Sequence, residues 1–301
     1  MMFEFLENSV PITSQQWSED TVPLVSISCI TYNHENYIRD AIEGFLMQKT
    51  TFPVEILIHD DASTDKTASI VREYEEKYPQ LIKPIYQTEN QYSKRDGTIG
   101  RIQRGRARGK YYAICEGDDY WTDPLKLQKQ VEFLDNNPEC SLVCHSIMDE
   151  IGSRLNTRQI VDVNRYLTNE EIITARGMIT PTLSIVLRRK HLENLPKWVV
   201  TSPVGDIPLV FYLMTKGKVF CFKDIMGVYR KYHATSWSNR KRNILQRTDF
   251  SIRYNFFLQT FNKYTQYNYD KMIHIHSKLS PAKYYFFKIV SNIILMFAKN
   301  V

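Results

Sequence analysis

The chain has 301 residues, 43% of them hydrophobic and 24% charged, with a formal net charge of +6. That balance suits one globular α/β domain with an appendage and excludes a disordered or collagen-like chain. Five cysteines at irregular spacing exclude a disulfide framework, and the acidic stretch 1–20, interrupted by polar residues, does not read as a signal peptide. A reducing cytoplasm is therefore the expected location. The charge is uneven. Residues 231–301 hold twelve Lys or Arg against Asp249 and Asp270, so this end carries +10 and the first 230 residues carry −4. Such a tail is expected to meet something anionic, a membrane or a nucleic acid.

Residues 1–21 read as a leader. Leu24 to Ile30 alternates as a first strand and ends at Thr31-Tyr32-Asn33-His34-Glu35. The next helix gathers Ile38, Ala41, Ile42, Phe45 and Leu46 on one face. His34 reads as a polar helix-start residue. No G-x-G-x-x-G opens that helix, which counts against a dinucleotide enzyme. A second strand, 54–59, ends in Asp60-Asp61, after which Ser63 and Thr64 offer N-caps to a helix lined by Ile70, Val71, Tyr74 and Tyr78. A third strand, Ile82 to Tyr86, completes a β-α-β-α-β rhythm, the pattern of a parallel sheet with a nucleotide-binding half.

Residues 87–110 are polar and basic, with a helical stretch from Arg101 to Arg108. The run from Lys110 to Trp121 then passes from a buried strand into three carboxylates within four positions, Glu116, Asp118 and Asp119. Carboxylates gathered where a buried strand ends repel one another unless a cation sits among them. Hard oxygen ligands suit Mg²⁺ or Mn²⁺. In open α/β sheets, ligands bind beyond the carboxyl ends of the strands. Two acidic strand ends therefore define one crevice for a metal and a nucleotide.

A helix is expected over 124–136, with Leu127, Val131 and Leu134 facing the sheet, and a strand over Ser141 to Ile147. Cys140, Cys144 and His145 sit among the apolar residues of that strand region and lack the second ligand pair a zinc site requires. Residues 149–178 are weakly patterned, and Thr182 to Leu187 is β-like. Asp206, after Pro203-Val204-Gly205, opens an apolar helix (Leu209, Val210, Leu213, Met214) that Gly217 ends, which on local grounds could be an N-cap alone. Lys218 to Phe222 and Ile225 to Arg230 read as a closing strand pair that runs into His233 and a polar loop, 235–238. From Arg240 the chain turns helical, basic and aromatic. In 281–301, Lys288, Ser291, Asn292 and Lys299 form one stripe opposite an apolar face, and the longest apolar run is six residues. A membrane span needs about 20. The stripe suits a helix lying on an anionic membrane surface, and equally one docked on the protein itself or on a second copy in a homodimer.

Three segments in register, Ile30-Thr31-Tyr32-Asn33, Asp60-Asp61-Ala62-Ser63-Thr64-Asp65 and Glu116-Gly117-Asp118-Asp119, resemble the successive signatures of family 2 glycosyltransferases. The resemblance covers residues 22–235, roughly. It implies the α/β GT-A (Rossmann-like) fold: a mixed, mainly parallel sheet flanked by helices, with a nucleotide half (22–123), an acceptor half (124–238) and a helical extension (239–301). The implied activity is inverting transfer of a sugar from a nucleoside diphosphate sugar, of UDP type, to a glycan or lipid-linked acceptor, as in bacterial polysaccharide synthesis. By the same resemblance Tyr32 lies against the base, and Asp61 and Asp60 hydrogen-bond it. Asp118 takes ribose and metal, Asp119 takes the metal (Mg²⁺ or Mn²⁺), and Asp206 is the catalytic base. Arg230 and His233 approach the diphosphate, and an Arg or Lys of 87–110 lies near the nucleotide. Glu116 stands where many relatives have Asp. A lipid-linked acceptor would place the enzyme peripherally on the inner face of the plasma membrane.

Two rivals fit less well. A sugar-phosphate nucleotidyltransferase would carry a Gly-rich basic loop after its first strand, and 31–35 is not one. A nucleic-acid-binding protein would interleave basic residues along a groove, whereas here they are segregated from an apolar helical face, so no nucleic-acid partner is expected.

Overall fold

The computed structural model describes residues 5–94, 96–200, 202, 206–233, 244–276 and 289. The leader begins outside the sheet: β1 (Val10–Pro11) later pairs with β3 (Lys49–Thr50). Ile12 is buried there, so part of the leader packs onto the domain. The β-branched run β2 (Val25–Thr31) enters the main sheet and is followed by α1 (Ile38–Leu46), whose five expected apolar residues are all buried. Then come β4 (Val54–Asp60), α2 (Thr67–Lys77), β5 (Ile82–Tyr86), α3 (Thr98–Arg106) and β6 (Tyr111–Ile114). Strands β6, β2, β4 and β5 lie side by side, all parallel. Crossover helices cover such strands on both faces, which is why β2 and β4 read as apolar runs.

The second half is built differently. After β7 (Tyr120–Trp121) and α4 (Lys126–Asn136), the chain forms β8 (Cys140–Ile151), β9 (Arg154–Arg158) and β10 (Arg165–Leu167). Next come α5 (Asn169–Thr174), β11 (Val186–Arg188), α6 (Lys197–Val200), α7 (Asp206–Leu213) and β12 (Lys218–Lys231). The main sheet runs β10-β12-β8-β11-β6-β2-β4-β5, with β7 on β12 and β9 on β8. Among the described residues of this half only β12 and β8 are parallel; the other pairs are antiparallel. The sheet is mixed, and its parallel character is concentrated in the nucleotide half.

Three local expectations change. The closing strand pair is one 14-residue strand, β12, with register shifts against β8 between Phe222 and Ile225. Lys223 and Asp224 fall at that bulge, where an extra residue bends a strand without ending it. The β-like stretch from Thr182 opens as a 3-10 turn, Thr182–Ser184, before β11 begins. The weakly patterned 149–178 contains a hairpin and α5. That helix starts with a reciprocal cap: Thr168 Oγ1 accepts from Glu171 N (3.1 Å), and Glu171 Oε2 accepts from Thr168 N (2.8 Å). The Thr168-x-x-Glu171 spacing was its sequence signal.

Alternation along the strands splits the core. Val25, Ile27, Cys29, Ile56, Ile58, Tyr111 and Ala113 pack with α1, α2 and α4. Leu57, Tyr112, Leu142, Cys144 and Leu187 face the other way, toward α5, α6 and α7. Two helices of the extension, α8 (Ile244–Tyr264) and α9 (Asp270–His276), join this second core through Tyr254, Phe257, Leu258, Phe261 and Ile273. The described part of the extension is helical and docked on the domain. The stripe in 281–301 and the loop 235–238 lie outside the described residues, Ile289 excepted. No helix among the described residues is long and apolar enough to cross a membrane.

Candidate active site

The carboxyl ends of β2, β4 and β6 meet at one edge of the sheet, and their loops are laced together. Asn33 Oδ1 accepts from Thr64 N (2.8 Å), and Ser63 Oγ accepts from Asn33 N (2.9 Å). Thr67 Oγ1 accepts from His34 N (2.7 Å), and Asp65 Oδ2 accepts from Glu35 N (3.1 Å). Asn33 and Ala62 take positive φ, 54° and 63°, at the turns that bring these loops together. Asn tolerates that conformation through local hydrogen bonds; Ala there is strained. Tyr32 stands on the rim, 41% exposed.

The two aspartates that end β4 do different things. Both oxygens of Asp61 accept backbone N–H groups, from Gln91 at 2.7 Å and Tyr92 at 3.0 Å, so this buried carboxylate holds the 87–94 segment in place. Asp60 Oδ2 accepts from Ser63 N (3.2 Å), while its buried Oδ1 has no partner. Burial raises the Asp60 carboxyl above its ordinary range, against the Ser63 hydrogen bonds.

At the end of β6, Glu116, Asp118 and Asp119 each present an oxygen within 4.8 Å of the others. Gly117 makes the turn possible: a Cβ there would stand 2.7 Å from Thr31 Oγ1 and 2.8 Å from Thr31 Cβ. Asp119 is 1% exposed. Its Oδ1 accepts from Arg230 N (2.9 Å), and its buried Oδ2 has no partner. Burial, then the charges of Asp118 and Glu116, lift the Asp119 carboxyl well above its usual range. An orphaned, buried carboxylate oxygen beside two more carboxylates is a hard-oxygen donor set, and it fits a divalent cation such as Mg²⁺ or Mn²⁺.

Histidines close the other side. His233 Nε2 lies 3.0 Å from Asp118 Oδ2, and His34 Nε2 lies 3.9 Å from the same oxygen. Burial works against the charge of Asp118, but the hydrogen bond from His233 and the charges of His34 and His233 outweigh it and hold its carboxyl low. The His233 ring packs on Tyr37, centroids 4.6 Å apart. His34 does start α1, its carbonyl accepting from Tyr37 N and Ile38 N, yet its ring faces Asp118. The sequence reading missed that second role because the local helix-start signal explained the residue fully.

Arg230 reaches the site chiefly through its backbone. Its guanidinium donates to Asp40 Oδ2 (2.5 Å), Glu150 Oε2 (3.2 Å) and the Asp118 carbonyl (3.3 Å), and lies over Tyr120. Asp206 opens α7, exposed, where Thr182 Oγ1 donates to its Oδ2 at 2.5 Å. Asp206 and Glu116 lie close enough to feel each other's charge. Tyr229, half-buried on β12, lies within charge reach of Asp119, Glu116, Asp118 and Asp206. Neither Tyr229 nor the supporting pair Asp40 and Glu150 carries a motif in the sequence. Three of the basic residues of 87–110 pair elsewhere: Lys94 with Glu89, Arg108 with Glu55 and Lys110 with Asp135.

Comparison with known proteins follows this geometry. Residues 26–195 match the model of "Glycosyl transferase family 2". The uncharacterized protein Rv1520 of Mycobacterium tuberculosis is 38% identical over 221 residues, covering 71% of this chain and 60% of its own length. TuaG of Bacillus subtilis, named as a teichuronic acid biosynthesis glycosyltransferase, is 31% identical over 221 residues, covering 72% of this chain and 83% of that protein. The chain thus spans about 60% of the mycobacterial relative's length. Among solved structures, S. aureus TarS 1-349 in complex with UDP-GlcNAc superposes with a TM-score of 0.59 at 18% identity, covering 88% of this chain and 70% of that one. The mannosyltransferase PcManGT of Pyrobaculum calidifontis, in complex with GDP-Man and Mn²⁺, gives 0.56 at 16% identity, covering 100% and 79%. These likenesses establish the GT-A fold. With the matched stretch exceeding half the sequence and containing all three signature segments, the chain belongs to glycosyl transferase family 2.

Proposed function

We propose that this chain is an inverting glycosyltransferase that moves a sugar from a nucleoside diphosphate sugar, of UDP type, to a hydroxyl of a glycan or lipid-linked acceptor. The observation that carries this reading is the carboxylate set at the end of β6, with Asp119 Oδ2 unpartnered and Asp206 within charge reach across the pocket. Tyr32 on the rim and the free oxygen of Asp60 are the groups for the base, and Asp61 acts by holding the 87–94 segment beside it. Asp118 and Asp119 would hold the divalent ion, Mg²⁺ or Mn²⁺, with Glu116 beside them. A divalent ion, when bound, neutralises charge that gathers on the leaving diphosphate.

The remaining chemistry belongs to side chains. Asp206 accepts the proton of the acceptor hydroxyl as that oxygen bonds to the anomeric carbon. The bond from the anomeric carbon to the diphosphate oxygen breaks on the opposite face, and its electron pair leaves with the nucleotide. Thr182 orients Asp206 by donating to the oxygen not taking the proton. His233, paired with Asp118, holds the carboxyl end of β12 over the site. The proposed setting is cytoplasmic, peripheral to the membrane that carries a lipid-linked acceptor.

A donor screen tests this reading. Nucleotide release from a panel of UDP-, GDP- and dTDP-sugars, with and without Mn²⁺, is expected to single out a uridine donor and to require the ion. Release from none of them, with acceptor glycans present, would overturn it.

A further inference from the structure

Outside the carboxylate pocket, the helix α3 and the segment following β11 border an open cleft of about 380 Å³. Arg188 of β11 pairs in register with Tyr111, the first residue of β6, and Arg189 N donates to the Lys110 carbonyl. The cleft therefore borders the amino end of β6, opposite the end that carries Glu116, Asp118 and Asp119. Its walls include Arg101, Arg104 and Arg189, with Glu193, Leu192 and Leu195.

Three guanidinium groups here face one carboxylate. Glu193 lies 3.7 Å from Arg189, whose Nε also donates to the Gly109 carbonyl. Arg101 donates to Thr98 Oγ1 and feels the exposed Asp96. Arg104 makes no hydrogen bond or ion pair among the described residues, although it is half-buried. Its guanidinium folds back over Gly100, where a Cβ would stand 2.7 Å from Nη1. Burial opposes its charge, Tyr112 favours it less strongly, and the neighbouring Arg101 opposes it least of the three. Gln103, between the two arginines, fixes the helix by donating to the Leu57 carbonyl (2.8 Å) and the Cys29 carbonyl (3.3 Å) under the sheet. The helix is thus pinned with Arg101 and Arg104 on the same cleft as Arg189.

Like charges held together at a partly buried wall cost free energy unless an anion lies between them, and guanidinium forks match phosphate oxygens. We infer that this cleft is a second anion site, separate from the donor pocket, that takes a phosphate group. The volume admits a phosphate together with the sugar that carries it, so either free phosphate or a phosphorylated glycan unit is a source.

The test is calorimetric titration of the full chain, in chelator, with inorganic phosphate and separately with a hexose phosphate. Both are expected to bind, and Arg104→Gln is expected to weaken both by about tenfold or more, the loss of one charge-assisted hydrogen bond, without lowering the melting temperature. Tighter binding of the hexose phosphate supports a glycan source, and tighter binding of inorganic phosphate supports the free ion. Should Arg104→Gln fold poorly, the exposed Arg101→Gln is read in the same way. The inference fails if wild-type protein gives no heat with either anion, or if the folded variants bind both as tightly as wild type.

Discussion

The backbone N–H of Arg230 donates to Asp119 Oδ1 at 2.9 Å, while the guanidinium of the same residue turns away to Asp40 and Glu150. Strand β12 thereby holds the Asp119 carboxyl by a backbone bond, and the guanidinium adds only the smallest of the charge contributions felt there. Arg230→Gln keeps the backbone bond and removes the ion pairs. Hydrogen bonds to charged groups are worth about 1.5–3 kcal/mol, and half of Asp40 is exposed, so a loss near 2 kcal/mol is expected, with kcat changed less than about tenfold. Denaturant melts and donor turnover measure both. A variant of wild-type stability that no longer binds donor would put the guanidinium on the diphosphate instead.

The Thr182–Asp206 hydrogen bond separates orientation from proton transfer. Asp206→Asn keeps the shape and removes the acceptor of the proton, so kcat is expected to fall by about 10² or more with donor affinity unchanged. Thr182→Val keeps the carboxylate and loses only its tether, and about a tenfold drop is expected. Transfer at wild-type rate by Asp206→Asn would remove this residue from the chemistry.

Most of this arrangement was legible because its parts are local. Asp60-Asp61 and Glu116-Gly117-Asp118-Asp119 sit where apolar runs stop, and a strand that ends in carboxylates puts them at the carboxyl edge of the sheet. What stayed hidden depends on long-range pairing. Nothing near Arg230 in sequence says that its guanidinium meets Asp40, 190 positions away. Tyr229 faces the site only because β12 runs on through the bulge after Phe222, where the polar pair Lys223-Asp224 suggested a break. The antiparallel second half was hidden for the same reason, since β11 carries only three residues between β6 and β8.

Lys126 lies fully buried beneath the site, its Nζ 4.0 Å from the Trp121 ring and 2.7 Å from Gln130 Oε1. Burial lowers its pKa to about 7. The sign follows from linkage: the unfolded chain holds the proton up to the ordinary lysine range and the folded chain releases it earlier, so stability rises with pH between the two values. Below about pH 7 the full cost of the buried charge is felt. Lys126→Met is therefore expected to stabilise the protein by a few kcal/mol at pH 6, on the order of one shifted lysine, with the advantage shrinking toward pH 10. Urea melts of both proteins across that range measure it. A pH-independent difference would mean that folded Lys126 keeps its proton throughout.

The tail stripe of Lys288 and Lys299 is an expectation from sequence alone. Each Lys or Arg near an anionic bilayer contributes about 1 kcal/mol. Removing residues 281–301 is expected to release the chain from phosphatidylserine vesicles while sparing donor hydrolysis, and added salt is expected to weaken binding of the full chain. Full-length chain that ignores the vesicles, with truncation turning a dimer into a monomer, would make the segment a subunit interface.

The account turns on the orphaned oxygen of Asp119, and Mn²⁺ binding by the chain itself reads it most directly. Titration of Mn²⁺ followed by electron paramagnetic resonance, alongside nucleotide release from the preferred donor, is expected to show one ion per chain in wild type. Binding is expected to be lost in Asp119→Asn of unchanged melting temperature, and release abolished by excess EDTA and restored by Mn²⁺. Full nucleotide release in excess EDTA, or undiminished Mn²⁺ binding by Asp119→Asn, would contradict it.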